Sequence, residues 1–245
     1  AGKKINLGAI SAIHEIINLD ELKKETKKEG ATITQYLTAV LIYSIYKANY
    51  IKNKGKKPIK VCIPINLKKY FVSNTMANFF SYMTIEAKMK EEQLNSFDKI
   101  LEFVKQDFSK KLTPNEIEKT MSGNVKLGIN PFIKVIPLIL KKPLVRLSYI
   151  EIRKYTTTTF SNIGRIGIIG KYQKYIENFF MLIAPEPVEK IKCSSCTFEN
   201  KMVFTFTSIL NDNKIEKRFY EFLTKKGINV KIESNGVLDD ISSET

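Results

Sequence analysis

The chain has 245 residues, and 43% of them are hydrophobic, with 15 Phe and 11 Tyr, which is enough for a sizeable core and excludes a disordered protein. Its three cysteines are too few, and odd in number, for the disulfide framework of a small secreted domain, so we expect a cytoplasmic setting. A net charge of +15 admits anionic partners, namely nucleic acid, acidic lipid headgroups or a phosphorylated cofactor.

The first predicted elements are a strand and a short helix. Residues 10–19 are rich in isoleucine and alternate weakly, so we expect a strand there. This strand carries His14, the only histidine in the sequence. A charged helix follows from Asp20, and Gly30 ends it.

A buried helix is predicted next. Thr32 and Gln35 match a capping box, in which the two side chains satisfy backbone N–H groups at a helix start. Residues 36–46 are apolar on nearly every side, which is typical of a helix at the centre of a fold. The run is shorter than the roughly 20 residues that cross a bilayer, so we predict no transmembrane segment.

Two alternating strands and two helices follow. Residues 60–67 keep a period of two, and Pro64 indicates an irregular or edge position in that strand. A second alternating strand begins near residue 78. Ser96 can cap an amphipathic helix, and Pro114 is suited to open another.

The later part of the chain returns to strands after an apolar segment. Three prolines predict that any helix in that segment is broken into short pieces: Pro131, Pro137 and Pro143. The strands predicted after it are 156–167, 179–184 and a hairpin of 193–198 with 202–209. An amphipathic helix then ends at Gly227, and a short strand over 229–233 precedes a loose tail beyond Asn235.

This pattern predicts an α/β fold, with a mixed β-sheet covered by helices, because strands and helices are interspersed along the whole chain. We predict one domain over residues 1–235 and a polar tail over 236–245. The abrupt start at Ala1 is what we expect of an excised domain. Only four arginines occur among many lysine pairs, which disfavours nucleic acid as a partner.

Metal and nucleotide motifs are weak in this sequence. Cys193 and Cys196 form a CxxC, but they fall in a predicted strand, where residues three apart point to opposite faces. Neither a second CxxC nor a suitable histidine is available to complete a zinc site, so we predict no metal. The glycines after residue 163 lack the order of a dinucleotide fingerprint.

The segment 156–167 indicates half of an acyl-transfer site. A β-branched run ends in Ser161 and Asn162, which offer a hydroxyl and an amide, and Gly164 then lets the backbone turn. The general base that such a site needs has only His14 as a candidate in this chain. His14 is either that base or a packed, hydrogen-bonded histidine on a strand.

Residues 159–167, TFSNIGRIG, are similar to the T-x-S-N-L-G-x-x-G strand of dihydrolipoyl acyltransferase catalytic domains, relatives of chloramphenicol acetyltransferase. Residues 61–71, then 78–80, then this strand resemble in their order the C-terminal half of bacterial alcohol acetyltransferase-like and condensation-domain proteins. The resemblance implies a chloramphenicol-acetyltransferase-like half, in which two related halves enclose a tunnel for an acyl thioester and an acceptor.

The resemblance also assigns roles to residues. Ser161 matches the serine that stabilises the oxyanion in the dihydrolipoyl enzymes. The base of the superfamily belongs to an HHxxxDG motif in the other half, and this chain does not contain that motif. The candidate substrate-binding residues are Asn162, Gly164, Asn78, Phe80 and His14, although Asn162 can instead fix the turn and Asn78 can anchor its strand.

The function that this resemblance implies is the C-terminal half of a thioester-dependent acyltransferase. Its co-substrate would be acyl-CoA or a carrier-bound acyl group, with no covalently bound cofactor. Its partners would be an N-terminal half carrying HHxxxDG in the same polypeptide and a small alcohol, thiol or amine as acceptor. The alternatives are a non-catalytic scaffold domain of the same fold and a basic nucleic-acid-binding domain.

Overall fold

The computed structural model describes residues 4–5, 8–50, 58–131, 135–153, 156–168 and 170–238. The strands are β1 (Ser11–Asn18), β2 (Ile59–Asn66), β3 (Phe80–Ala87), β4 (Thr158–Arg165), β5 (Ile191–Phe198), β6 (Lys201–Ser208) and β7 (Val230–Ser234). The α-helices are α1 (Leu19–Lys28), α2 (Ile33–Ile45), α3 (Glu91–Leu94), α4 (Phe97–Lys111), α5 (Pro114–Ile129), α6 (Leu138–Arg153) and α7 (Lys214–Lys225).

The strands form one mixed sheet in the order β3-β2-β4-β5-β6-β1-β7. The pairs β2 with β4 and β4 with β5 are parallel, and the other neighbours are antiparallel. The parallel pairs join distant parts of the chain, whereas β5 and β6 form the predicted hairpin. The prediction of an α/β fold with a mixed sheet is confirmed.

One face of the sheet is covered by α2, α4 and α7, which pack against one another. Phe219 of α7 stacks on Phe204 of β6 with 4.5 Å between ring centroids, and Phe204 contacts Phe160 of β4 at 5.0 Å. All three rings are buried. Because aromatic pairs of this geometry add to the free energy gained by burial, they hold the helical layer on the middle of the sheet.

Helix α2 begins as predicted. The Gln35 side chain accepts from the Thr32 N–H at 2.8 Å, and the Thr32 hydroxyl accepts from the Gln35 N–H at 3.3 Å, which completes the capping box. Nine residues of the helix are buried, as expected for an element that is apolar on nearly every side.

The opposite face of the sheet is crossed by residues 176–186, which we call the strap. The predicted strand over 179–184 is wrong, because the carbonyls of the strap bond to side chains rather than to a neighbouring backbone. Four such bonds occur among the described residues: Lys201 Nζ donates to Glu177 O (3.3 Å), Cys196 Sγ to Phe179 O (3.1 Å), Ser194 Oγ to Met181 O (2.5 Å) and Thr207 Oγ1 to Ile183 O (2.5 Å). Every second carbonyl of the strap is therefore satisfied without a β-ladder.

The prediction of a helix broken by prolines is also wrong in part. Helix α6 begins directly after Pro137 but runs through Pro143 without a break. Proline removes one backbone hydrogen bond to the carbonyl four residues earlier, which belongs to Ile139. Ile139 is 84% exposed, so water can reach that carbonyl.

The predicted tail begins at an ordered residue. The Asn235 side chain donates to Ile10 O at 2.8 Å and accepts from the Ala12 N–H at 3.1 Å. Residues 239–245 lie outside the described residues, so the domain boundary at 235 stays a prediction.

Two carboxyl groups are buried between the sheet and the helical layer. Glu15 of β1 is fully buried, and neither of its carboxyl oxygens has a hydrogen-bond partner among the described residues. Burial, with a smaller effect of the Glu216 charge, raises the pKa of Glu15 well above its usual value. Burial likewise raises the pKa of Glu216 in α7 to about 7. Both groups therefore bind a proton more tightly in the folded protein than in the unfolded chain.

Replacing Glu216 tests this proton linkage. The free energy of unfolding of the wild type should fall as the pH rises from about 4.5 to about 7, because the unfolded chain loses this proton first. Glu216→Gln should make that fall smaller, leaving the part that Glu15 contributes, and should be more stable above pH 7 by up to about 3 kcal/mol. Urea unfolding across this pH range measures it. Glu221→Gln, which removes a carboxylate from the exposed side of α7, is the control, and equal pH profiles for the two variants would contradict the assignment.

Candidate functional site

The end of β4 alternates between the two faces of the sheet. Phe160 is buried under the helical layer, so the next residue, Ser161, faces the opposite side, where it is half-buried. Asn162 turns back toward the helices. Its side-chain amide donates to the Thr34 hydroxyl at 3.1 Å, and its side-chain oxygen accepts from the Gly164 N–H at 2.9 Å. Ser161 is thus held between two anchored neighbours.

The turn after Ser161 requires a glycine. Gly164 has φ of 82°, in the left-handed region that residues with a Cβ rarely adopt. The pairing of β4 with β5 shifts register between Asn162 and Arg165 at the same place. This irregularity bends β4 just beyond Ser161, and the strand pairs with β5 again at Arg165.

Pro64 explains why β4 is paired with β2 over only part of its length. Parallel pairing of β2 with β4 covers only Val61 with Thr158 and Cys62 with Thr159. Lys60 O accepts from the Thr157 N–H at 2.9 Å, so by alternation the backbone nitrogen of Pro64 also points toward β4. In this register the next rung would need an N–H of residue 64 to donate to the Phe160 carbonyl, and proline has none.

The sheet therefore splits beyond Cys62 into a notch, which we define as the space between residues 63–66 of β2 and 160–164 of β4. The register of β4 with β2 and β5 places the main-chain groups of Phe160 and Asn162 toward this notch, whereas those of Ser161 between them pair with β5. The prediction that Pro64 marks an irregular position is confirmed, although β2 lies inside the sheet rather than at its edge.

Asn78 and Phe80 lie at the same end of the sheet as the notch. Phe80 begins β3 and pairs with Asn66, the last residue of β2. Ser81 and Met83 are buried toward α4, so Phe80 is on the face that also carries Ser161, and it is 61% exposed. Asn78, two residues earlier, is exposed. Their contact with substrate stays a prediction.

His14 belongs to a row of polar residues that sequence reasoning missed. The strand register aligns His14 of β1 with Thr205 of β6, Thr205 with Ser194 of β5, and Ser194 with Ser161. All four side chains share the face that carries the strap. Strands lie about 4.8 Å apart, so His14 is separated from Ser161 by roughly 14 Å. This separation is too large for a direct proton transfer between His14 and a group bound at Ser161.

The surroundings of His14 are those of a packed side chain. Its Nδ1 is 2.9 Å from the Thr205 hydroxyl, and its ring lies 4.4 Å from the ring of Phe180 in the strap. Burial lowers the pKa of His14, and the nearby Glu233 carboxylate opposes that effect only partly. The imidazole is consequently neutral at pH 7.

The two cysteines of the CxxC point to opposite faces, as predicted. Cys193 belongs to the core under the helices, whereas Cys196 lies under the strap. Burial raises the pKa of both thiols, that of Cys193 strongly. Among the described residues, no group of three or more His, Cys, Asp or Glu side chains is arranged to hold a metal ion.

Comparison with known proteins identifies the fold. Residues 11–88 match the family model described as alcohol acetyltransferase. The epimerization domain of tyrocidine synthetase B superposes with a TM-score of 0.58 at 8% identity, over 92% of this chain and 49% of that one. This is the fold of condensation domains and chloramphenicol-acetyltransferase-like acyltransferases.

Two further solved structures share this fold with the chain. TRI101 of F. sporotrichioides, solved with coenzyme A and T-2, gives a TM-score of 0.58 at 8% identity, over 94% of this chain and 52% of that one. TRI3 trichothecene 15-O-acetyltransferase of Fusarium sporotrichioides gives 0.52 at 12% identity, over 91% and 48%. The chain thus spans about half the length of these structures. No curated protein sequence matches it.

The role of Pro64 in keeping the notch open can be tested without an activity assay. Pro64→Val restores an N–H that can donate to the Phe160 carbonyl and lets the Asn162 N–H donate to the carbonyl of residue 64. Hydrogen exchange of the Asn162 amide should then slow about tenfold, which corresponds to one added backbone bond. Pro58→Val, placed before β2, is the control and should leave that rate unchanged. Equal exchange in the Pro64 variant and the wild type would show that another constraint separates the strands.

Proposed function

We propose that this chain is the C-terminal half of a thioester-dependent acyltransferase, which moves an acyl group from coenzyme A or a carrier to an alcohol, thiol or amine. The observation that carries the proposal is the position of Ser161. Ser161 lies at the end of β4 beside the notch, between Phe160, which is buried under the helical layer, and Asn162, whose side chain bonds to Thr34 and Gly164. The similarity of residues 159–167 to the dihydrolipoyl acyltransferase strand and the family match over 11–88 support it.

Ser161 would act on the charge that develops during transfer. When the acceptor's oxygen, sulfur or nitrogen attacks the thioester carbonyl carbon, the carbonyl oxygen becomes negative. A hydroxyl already fixed in place can donate to that oxygen without reorganisation, and such a donor is worth roughly 3 kcal/mol. Collapse of the tetrahedral intermediate breaks the carbon–sulfur bond and releases a thiolate.

The base that takes the acceptor's proton is assigned to another half. His14 is neutral and could accept a proton, but it lies roughly 14 Å from Ser161 along the polar row. An HHxxxDG motif in an N-terminal half would supply the base, with the same proton later passing to the leaving thiolate. The net charge of +15 suits the phosphates of coenzyme A or of a carrier's prosthetic arm.

Replacement of Ser161 tests the oxyanion role. In the gene product as encoded, including any segment upstream of Ala1, Ser161→Ala should lower kcat for acyl transfer from acyl-CoA by about 100-fold. Ser194→Ala is the matched control, since it removes the neighbouring hydroxyl, which donates to Met181 in the strap. That control should reduce stability by about 1 kcal/mol and leave kcat unchanged. Unchanged kcat in Ser161→Ala would instead favour a scaffold domain.

Replacement of His14 tests where the base lies. His14→Ala should leave kcat of the same gene product within about twofold, because the imidazole is outside the reach of a group at Ser161. The pH–rate profile should also keep its acidic limb. If this chain alone transfers acyl groups and the His14 variant loses that activity, the base is in this half and the proposal of a second half is wrong.

A further inference from the structure

A second surface, in α6, presents aliphatic and cationic side chains to solvent. The first ten residues of the helix, 138–147, read LILKKPLVRL, with six aliphatic residues, three cations and no acidic residue. Nine of the ten side chains are exposed, and Lys141 is intermediate. The exposed fraction is 63% for Leu138, 60% for Val145 and 64% for Leu147. Contiguous exposed aliphatic residues of this kind mark interaction surfaces.

The three cationic side chains of this segment, Lys141, Lys142 and Arg146, lie beside two of its aliphatic side chains, Leu138 and Val145. A shallow cavity of about 400 Å³ is lined by Leu138, Val145, Lys141, Lys142 and Arg146. At 100° per residue, Leu138 and Val145 form the middle of this face, with Lys141 on one side and Lys142 and Arg146 on the other. We call these five residues the basic apolar face. Aliphatic groups flanked on both sides by long cationic side chains fit a surface that is apolar inside and anionic outside.

We propose that the basic apolar face of α6 docks on an anionic phospholipid membrane surface. Leu138 and Val145 enter the boundary between headgroups and acyl chains, while the three cations extend to the phosphates and other anionic headgroup atoms. The helix lies in the plane of the surface, since its 16 residues span only about 24 Å, less than the roughly 30 Å of the hydrocarbon core. Among the described residues, no helix is long and apolar enough to cross a membrane.

Charge favours a bilayer over a second copy of this chain. Pairing two copies through α6 would bring six cations together and join two proteins of net charge +15. An anionic membrane removes that repulsion and attracts the rest of the chain as well. The proposal does not depend on acyl transfer.

Vesicle sedimentation tests the docking. The protein should pellet with phosphatidylcholine vesicles that contain about 30% phosphatidylserine and stay in solution with phosphatidylcholine alone. Reversing the three cations, by Lys141→Glu, Lys142→Glu and Arg146→Glu, should weaken the partition coefficient at least about 100-fold, since each cation near an anionic surface contributes about fivefold. Replacing the apolar pair, by Leu138→Ser and Val145→Ser, should weaken it about tenfold or more.

A matched variant separates this face from the overall charge. Lys24→Glu, Lys27→Glu and Lys217→Glu change the net charge equally at exposed positions of α1 and α7, and should weaken binding far less. If the two triple variants lose vesicle binding equally, the proposal is wrong, and the membrane attracts the net charge of the protein rather than this face. Absence of binding to the anionic vesicles would also overturn it. So would an oligomer that the Leu138 and Val145 replacements convert to monomer while vesicle binding is unchanged, because the face would then bind a second copy.

Discussion

The hydrogen-bond ladder between β2 and β4 ends because residue 64 has no N–H to donate, and the arrangement of the site follows from that ending. Above Cys62 the two strands share rungs and the sheet is continuous. Below it they diverge, and Ser161 lies on the strand that remains attached through β5. A closed ladder would have paired the main-chain groups of Phe160 and Asn162, on either side of Ser161, with β2. The notch thus results from one covalent property of one residue.

Ser161 is positioned by contacts that its two neighbours make on the helical face of the sheet, whereas its own side chain points to the opposite face. Asn162 reaches back to Thr34 at the start of α2, and Phe160 lies under Phe204 and, through it, Phe219. The helical layer therefore fixes the end of β4, while the opposite face stays available. A rigid element that carries a polar group at its end is the arrangement that preorganised charge stabilisation needs.

Much of the fold could be predicted because its local signals agree with its tertiary contacts. The capping box at Thr32 and Gln35, the alternation in β2 and β3, and the hairpin of β5 and β6 each depend on neighbours close in sequence. The strap could not be predicted, because its carbonyls bond to Ser194 and Thr207, whose side chains are brought there by the finished sheet. An apolar run such as 179–184 has the same composition whether it joins a sheet or crosses one.

The candidate site was predictable only in part for a similar reason. The Ser161 and Asn162 pair is visible as a motif, but the row that links Ser161 to His14 exists only through strand register across β4, β5, β6 and β1. The bond from Asn162 to Thr34 joins residues 128 positions apart. The continuous helix through Pro143 depends on solvent access to a carbonyl, which the sequence does not specify.

The strap and the helical layer also make the three thiols of this chain differ in their access to solvent. Cys196 donates to Phe179 beneath the strap, Cys193 is buried under the helical layer, and Cys62 in β2 is only half-buried. An opening of the strap alone would uncover Cys196 and leave Cys193 hidden, whereas reaching Cys193 would require the helices to separate from the sheet. A thiol-modifying reagent should therefore reach each cysteine at its own rate, because each thiol is exposed by a different opening of the structure.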